Sequence, residues 1–237
     1  MKKTTKRCVI ICVLLLFATL AFAVTYSVHG AFESAEREEL LQRLRDYYDA
    51  KIEQFERENE ELISKDVEIV FLGDSLTDGY DLNKYYPQYK TANRGIGGDT
   101  TVGLEARLEI SAYDLQPEVV VMLIGANNMD TMLDNYENIL KGFKENLPDS
   151  EVVLLSLTAM GDEWGRKNQL AAYNNVSIKL LAEKYGYHFV DLFSPLYDVS
   201  RREVYEGYTV DGGHFTELGY TVVTEQITPV LASILGR

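Results

Sequence analysis

Five short candidate strands, most of them rich in apolar and β-branched residues, each followed by a polar or glycine turn and most by a helical stretch, constrain this chain more than any other feature. Val67–Leu72 (VEIVFL) ends in Gly73, and a second run near Thr91–Arg94 leads into a glycine-rich loop. Glu118–Ile124 (EVVVMLI) and Glu151–Leu157 (EVVLLSL) are continuous and β-rich, and His188–Leu192 is the fifth. Residues 101–112, 133–146, 166–185 and 216–235 read as helices. Apolar strands alternating with helices predict an α/β fold whose parallel sheet is covered on both faces. In such sheets ligands bind beyond the carboxyl ends of the strands. The residues just after each run are therefore where function is sought.

The chain has 237 residues, 46% of them hydrophobic, enough for a substantial core in one domain plus an appendage. Its first 24 residues are made of different material. Residues 2–7 (KKTTKR) carry four positive charges, and residues 8–24 are apolar apart from Thr19. This predicts an export segment over 1–24, either a cleaved signal with a small-x-small site at Ala21-Phe22-Ala23 or an uncleaved anchor. An anchor would tie the protein to the membrane through residues 8–24 and leave the bulk on the outer side. Both cysteines, Cys8 and Cys12, lie in this segment, so the remainder holds no disulfide and no Cys-based metal site.

Residues 25–65 form a charged lead-in. Residues 33–65 hold 11 acidic and 6 basic residues with no Pro or Gly. Leu41, Leu44, Tyr48, Ile52, Phe55 and Leu62 suit one face of a helix, with Asn59 as a gap. Either a stalk or a helix packed on the following domain fits; packing is favoured for residues 45–65. The main domain is placed at 66–237. Without the first 24 residues the net charge moves from −14 to −18, which disfavours nucleic acid as a partner.

The run ends carry an uneven set of residues: Gly73-Asp74-Ser75-Leu76, then Asn93 to Thr100 with Gly97-Gly98-Asp99, then Gly125-Ala126-Asn127-Asn128, and finally Asp211-Gly212-Gly213-His214. A serine hydroxyl is a weak nucleophile and needs a neighbouring base. Of three histidines, His29 lies beside the apolar segment and His188 sits in a strand pattern that suggests packing. His214 follows Asp211 by three, a spacing at which the carboxylate holds the ring while the other nitrogen faces Ser75. The N–H groups of Ser75 and Gly98 and the Asn127 amide suit an oxyanion hole. Each block alone has an ordinary structural reading: a turn, a tight loop, a helix cap or a loop ion pair. Their order at successive strand ends argues for chemistry. The loop has neither phosphate-binding pattern, and the serine lacks the glycine of an α/β-hydrolase elbow.

These four blocks, spanning 67–217, resemble the SGNH (GDSL-type) hydrolases, and Asn128 in place of the usual aspartate resembles the platelet-activating-factor acetylhydrolase-like branch. Phe55-Glu56-Arg57 and onward resemble that branch's lead-in helix. The resemblance implies a flavodoxin-like three-layer α/β/α sandwich with a five-stranded parallel sheet. It implies ester hydrolysis with no metal or cofactor. It makes Ser75 the nucleophile, His214 the base and Asp211 its partner, with Ser75, Gly98 and Asn127 as the oxyanion hole.

Tyrosines 80, 85, 86 and 89 and the single tryptophan, Trp164, are candidates for the rim, with Tyr80 and Trp164 singled out as substrate-binding. Little sequence is left for a large lid, which favours short acyl esters such as O-acetyl groups on glycans over long-chain lipids. Acyl transfer by the same serine, or glycan binding without catalysis, stays open at this level. So do the acyl and alcohol parts of the substrate and the oligomeric state.

Overall fold

The structure is a computed structural model that describes residues 36–62 and 66–237. The expected export segment at 1–24 lies outside the described residues. The chain divides into two units, Met1–Asp49 and Ala50–Arg237. In the first, residues 36–49 are helical, with Leu41 and Leu44 exposed and Gln42 bridging to Asp46 at 2.7 Å.

The second unit opens with helical residues 50–61 (α1). Phe55 of α1 is fully buried. Asn59, a gap in the apolar pattern, donates to the Ile110 carbonyl at 2.8 Å and accepts from Arg94 at 2.9 Å. The polar position in the stripe is thus an attachment point.

The sheet is formed by β1 (Ile69–Gly73), β2 (Thr91–Gly95), β3 (Val119–Leu123), β4 (Glu151–Leu155) and β5 (His188–Val190). The strands are parallel, in the order β2-β1-β3-β4-β5. This is the flavodoxin-like order, with its switch point between β1 and β3. Successive strand residues point to opposite faces. Val70, Leu72, Val120, Met122 and Leu154 meet α4 (Thr101–Ala106), α5 (Leu133–Asn146) and α6 (Asn168–Tyr185) through Leu104, Tyr136, Phe143 and Ile178. Ile69, Phe71, Val119, Val121 and Leu155 face Tyr86, Leu196 of α7 (Phe193–Leu196), and Val223, Ile227 and Leu231 of α8 (Glu217–Leu235). Both faces are covered, which is the three-layer sandwich. α8 is apolar enough by length and composition to cross a membrane, but Val223, Ile227 and Leu231 are buried in this core.

Three local features differ from the sequence pattern. The helix expected at 101–112 stops at Arg107 (φ −115°), whose side chain is buried, and a π turn follows at Glu109–Tyr113. His188 is not a packing residue: it is half-exposed on the edge strand β5, with Nε2 3.1 Å from Glu151 Oε2. A two-stranded ribbon, β6 (Tyr197–Asp198) with β7 (Glu203–Val204), adds to the sheet domain.

Because Phe143 is wholly enclosed between α5 and the sheet, Phe143→Ala is expected to destabilise the domain by about 3–5 kcal/mol in urea unfolding.

Candidate active site

The end of β1 builds the serine. Asp74 caps α2 (Ser75–Asp78), its carboxylate accepting from the Leu76 N–H at 3.1 Å. Ser75 is therefore the first residue of a helix, where backbone N–H groups have no intrahelical partner. The histidine comes from a turn at the tip of a small hairpin. Val210 N–H donates to the His214 carbonyl at 2.9 Å, and Thr209 bridges Phe215. Below it, Thr216 caps α8 by accepting from Gly219 N–H. Asp211 Oδ1 accepts from the N–H groups of Gly213 (3.0 Å) and His214 (2.8 Å). This turn depends on Gly212 at φ 81°, where a Cβ would stand 2.4 Å from the Gly161 carbonyl oxygen.

Ser75, His214 and Asp211 are joined in a line. His214 Nε2 lies 3.0 Å from Ser75 Oγ, and Nδ1 lies 2.7 Å from Asp211 Oδ2. An ionised carboxylate at Nδ1 fixes the tautomer that leaves Nε2 able to take the serine proton.

Two loops carry the remaining expected site residues. Gly98 turns the β2–α4 loop with φ 80°. Asn127 stands on a 3-10 turn (Ala126–Asn128) after Gly125, whose φ is 122°. Asn127 Nδ2 donates one hydrogen to the Asp99 carbonyl at 2.8 Å, which leaves the second for a ligand. Asn128 ties the same turn to α4: its Oδ1 accepts from Thr101 N–H at 3.3 Å and its Nδ2 donates to Thr101 Oγ1 at 2.9 Å.

Ser75, Asn127, His214 and Trp164 line one cavity of about 70 Å³, together with Asp74, Leu76, Ala126, Thr158, Met160 and Gly213. Asp211 joins through His214, whereas Gly98 stands on the adjoining loop outside the lining. Tyr80 is not at the rim. It is buried, stacked on Tyr220 at 4.8 Å, and bonded to Thr224 at 2.5 Å and Tyr86 at 3.1 Å. It is a core residue because the Tyr80–Tyr86 segment turns inward onto α8. Tyr86 and Tyr89 are buried as well.

In the wall after β4, Trp164 was expected from the sequence, but Thr158 and Met160 were not. Thr158 and Met160 owe their position to two asparagines of α6. Asn168 brackets Met160, accepting from its N–H at 2.9 Å and donating to its carbonyl at 2.8 Å. Asn175 does the same for Leu157 at 2.7 and 3.0 Å. Their spacing of seven places both on one helix face, a signal that could have flagged them. Trp164 sits on the 3-10 turn Asp162–Lys167, with Lys167 Nζ 5.1 Å from its ring centre. Gly161 N–H donates to the Gly212 carbonyl at 2.8 Å, so this turn is fastened to the histidine turn.

Two carboxyls differ sharply. Burial and the nearby Asp99 push the Asp74 carboxyl up to about 7, against the Leu76 N–H and His214, which favour its ionised form. At Asp211 desolvation would raise the pKa, but hydrogen bonds from the His214 and Gly213 N–H groups and the His214 ring hold it at about 2. Asp211 is thus ionised across the neutral range. Among the described residues no group of three His, Cys, Asp or Glu side chains is placed to hold a metal ion.

The profile of the GDSL-like Lipase/Acylhydrolase family matches residues 71–222, more than half of the chain. The chain belongs to this family. As a GDSL-like acylhydrolase it is a carboxylic ester hydrolase. Its fold is shared by a provisionally assigned platelet activating factor from Streptococcus pneumonia, with a TM-score of 0.75, 24% identity, and coverage of 83% of this chain and 99% of that one. A provisionally assigned acylhydrolase from Bacteroides fragilis aligns with a TM-score of 0.68 and 25% identity over 76% of this chain and 94% of that one. An acetylxylan esterase from Geobacillus stearothermophilus aligns with a TM-score of 0.58 and 21% identity over 70% and 94% of the two chains. A search of curated protein sequences finds no match.

Asp74 gives this GDSL-like hydrolase a pH signature. Its folded pKa lies above its unfolded value, so the folded state holds the extra proton between them and stability falls as pH rises from about 4 to about 7. Asp74→Asn keeps an acceptor for Leu76 N–H and removes that titration. The stability of the variant relative to wild type should therefore rise between pH 5 and pH 8 in urea unfolding.

Proposed function

We propose that this protein is an exported serine esterase that removes short acyl groups, acetyl foremost, from carbohydrate esters. The cavity beside Ser75 carries this reading. At about 70 Å³ it is far smaller than the roughly 300–1,000 Å³ of typical drug-sized ligand sites. Met160, Trp164 and Leu76 close it on the apolar side. Such a pocket takes an acetyl group and excludes a long chain by volume. The alcohol part would lie outward, where half-exposed Trp164 offers a flat apolar face of the kind that stacks on sugar rings. The Geobacillus acetylxylan esterase has the same fold, so the scaffold is compatible with this substrate class. The basic and apolar N-terminus supports export, with the domain held at the outer membrane face or released.

In the proposed reaction Ser75 Oγ attacks the ester carbonyl carbon as its proton passes to His214 Nε2. The developing oxyanion is held by the Ser75 and Gly98 N–H groups and the free hydrogen of Asn127 Nδ2. The carbon–oxygen bond to the alcohol breaks, and the leaving oxygen takes the proton from His214. Water then attacks the acyl-Ser75 and gives its proton to His214. The acid leaves, and Ser75 recovers its proton. Asp211 stays ionised and orients the ring.

Three outcomes are expected. Nitrophenyl acetate should be hydrolysed with a kcat/KM well above that for chains of eight carbons or more; a long-chain preference would reject the short-acyl assignment. A fluorophosphonate should label the wild type at Ser75 by mass spectrometry, and Ser75→Ala should lose both label and turnover. An imidazole base can accept the serine proton only in its neutral form, so activity should fall toward acid pH, and a flat profile from pH 5 to 8 would contradict a histidine base.

A further inference from the structure

Next to the loops that carry Gly98 and Asn127 lies a buried guanidinium that the proposed reaction does not use. Arg107, at the break between α4 and the π turn, is 3% exposed. It makes four hydrogen bonds. Nε donates to Asp99 Oδ2 at 2.8 Å, and one terminal nitrogen donates to the Arg94 carbonyl at 2.8 Å and Ser111 Oγ at 2.9 Å. The other donates to the Gly73 carbonyl at 3.0 Å. One planar group therefore joins the last residue of β1, immediately before Asp74-Ser75, to the end of β2 and to the loop that carries Gly98. Asp99 passes this constraint onward, because its own carbonyl accepts from Asn127 Nδ2. Close approach of α4 to Asp99 is built in: a Cβ on Gly103 would stand 1.9 Å from Asp99 Oδ1.

The guanidinium is seated in turn by the lead-in helix. Phe55 of α1 lies under both arginines, with Arg94 Cζ at 4.7 Å and Arg107 Cζ at 5.9 Å from its ring centre. Arg94 is held on that ring by its ion pair with Glu58 and its bond to Asn59. A rigid five-donor fork suits this task, and an ammonium cannot reproduce its geometry.

We propose that Arg107 is a positioning residue for the oxyanion hole. Through Asp99 it sets the Gly98 loop and the Asn127 amide in register with Ser75, and α1 is the seat that keeps it there. The inference rests on the oxyanion role given to Asn127 above. A structural ion pair alone would alter stability and leave the reaction's rate terms in place. A positioning residue acts on the transition state and so on kcat.

The test is a double-mutant cycle on the full chain with nitrophenyl acetate. Asn127→Ala alone should lower kcat by roughly 10²–10³-fold; if it does not, the oxyanion assignment itself fails. Arg107→Lys should lower kcat by at least about tenfold with KM changed little and the acid limb of the pH profile unmoved. Combined with Asn127→Ala it should add little further loss, because both act on one device. Asp99→Asn, which breaks the ion pair and keeps the carbonyl that holds Asn127, should behave as Arg107→Lys does and serves where the lysine variant does not fold. Losses that multiply, a change in KM alone, or an unchanged kcat in a folded variant would overturn the proposal.

Discussion

Burial of β1 on both faces is the constraint from which the rest follows. Ile69, Val70, Phe71 and Leu72 are enclosed by side chains of two different helical layers. Its edges are paired as well, with β2 on one and β3 on the other. The chain leaves β1 in one direction and returns on the opposite side, which opens a crevice at the carboxyl ends of β1 and β3. Ser75 and Asn127 stand on the two lips of that crevice.

A crevice at strand ends leaves backbone groups with acceptor capacity to spare, and this domain answers with buried and half-buried polar side chains. Arg107 takes the carbonyl of Arg94 and shares that of Gly73 with the Ile96 N–H. Asn168, Asn174 and Asn175 take those of Met160, Met129 and Leu157. Each bond satisfies a buried acceptor and also fixes a loop bearing a site residue. Stability and active-site order therefore share the same side chains. The arrangement also separates two carboxyls by environment: Asp211, met by N–H donors at the surface, stays charged, while burial pushes Asp74 up to about 7.

Much of this was legible from local pattern. The runs ending at Gly73 and Ile124 read as strands because runs dominated by β-branched and apolar residues have few other uses. Ser75, Asn127, Asp211 and His214 were legible because each directly follows a strand end or sits in a glycine-bearing turn. Tyr80 was not, since a tyrosine in a loop next to a site looks the same whether it faces the rim or stacks on Tyr220. Thr158, Met160 and their asparagine supports were hidden for a related reason: their partners lie on different elements, and Asn168 and Asn175 resemble surface residues of α6.

The amino-acid order alone therefore determined the alternation of strands and helices, the acidic character of residues 25–237, and the set of groups able to carry out acyl chemistry. These are properties of single residues and short spacings, set by periodicity and side-chain type. Only the tertiary structure decided the size of the cavity beside Ser75, the inward turn of Tyr80, and the seat of Arg107 on Phe55. Each of those depends on groups far apart in the chain meeting at ångström distances, as when Arg107 joins Gly73 to Asp99. Packing of whole layers, not local preference, sets such meetings.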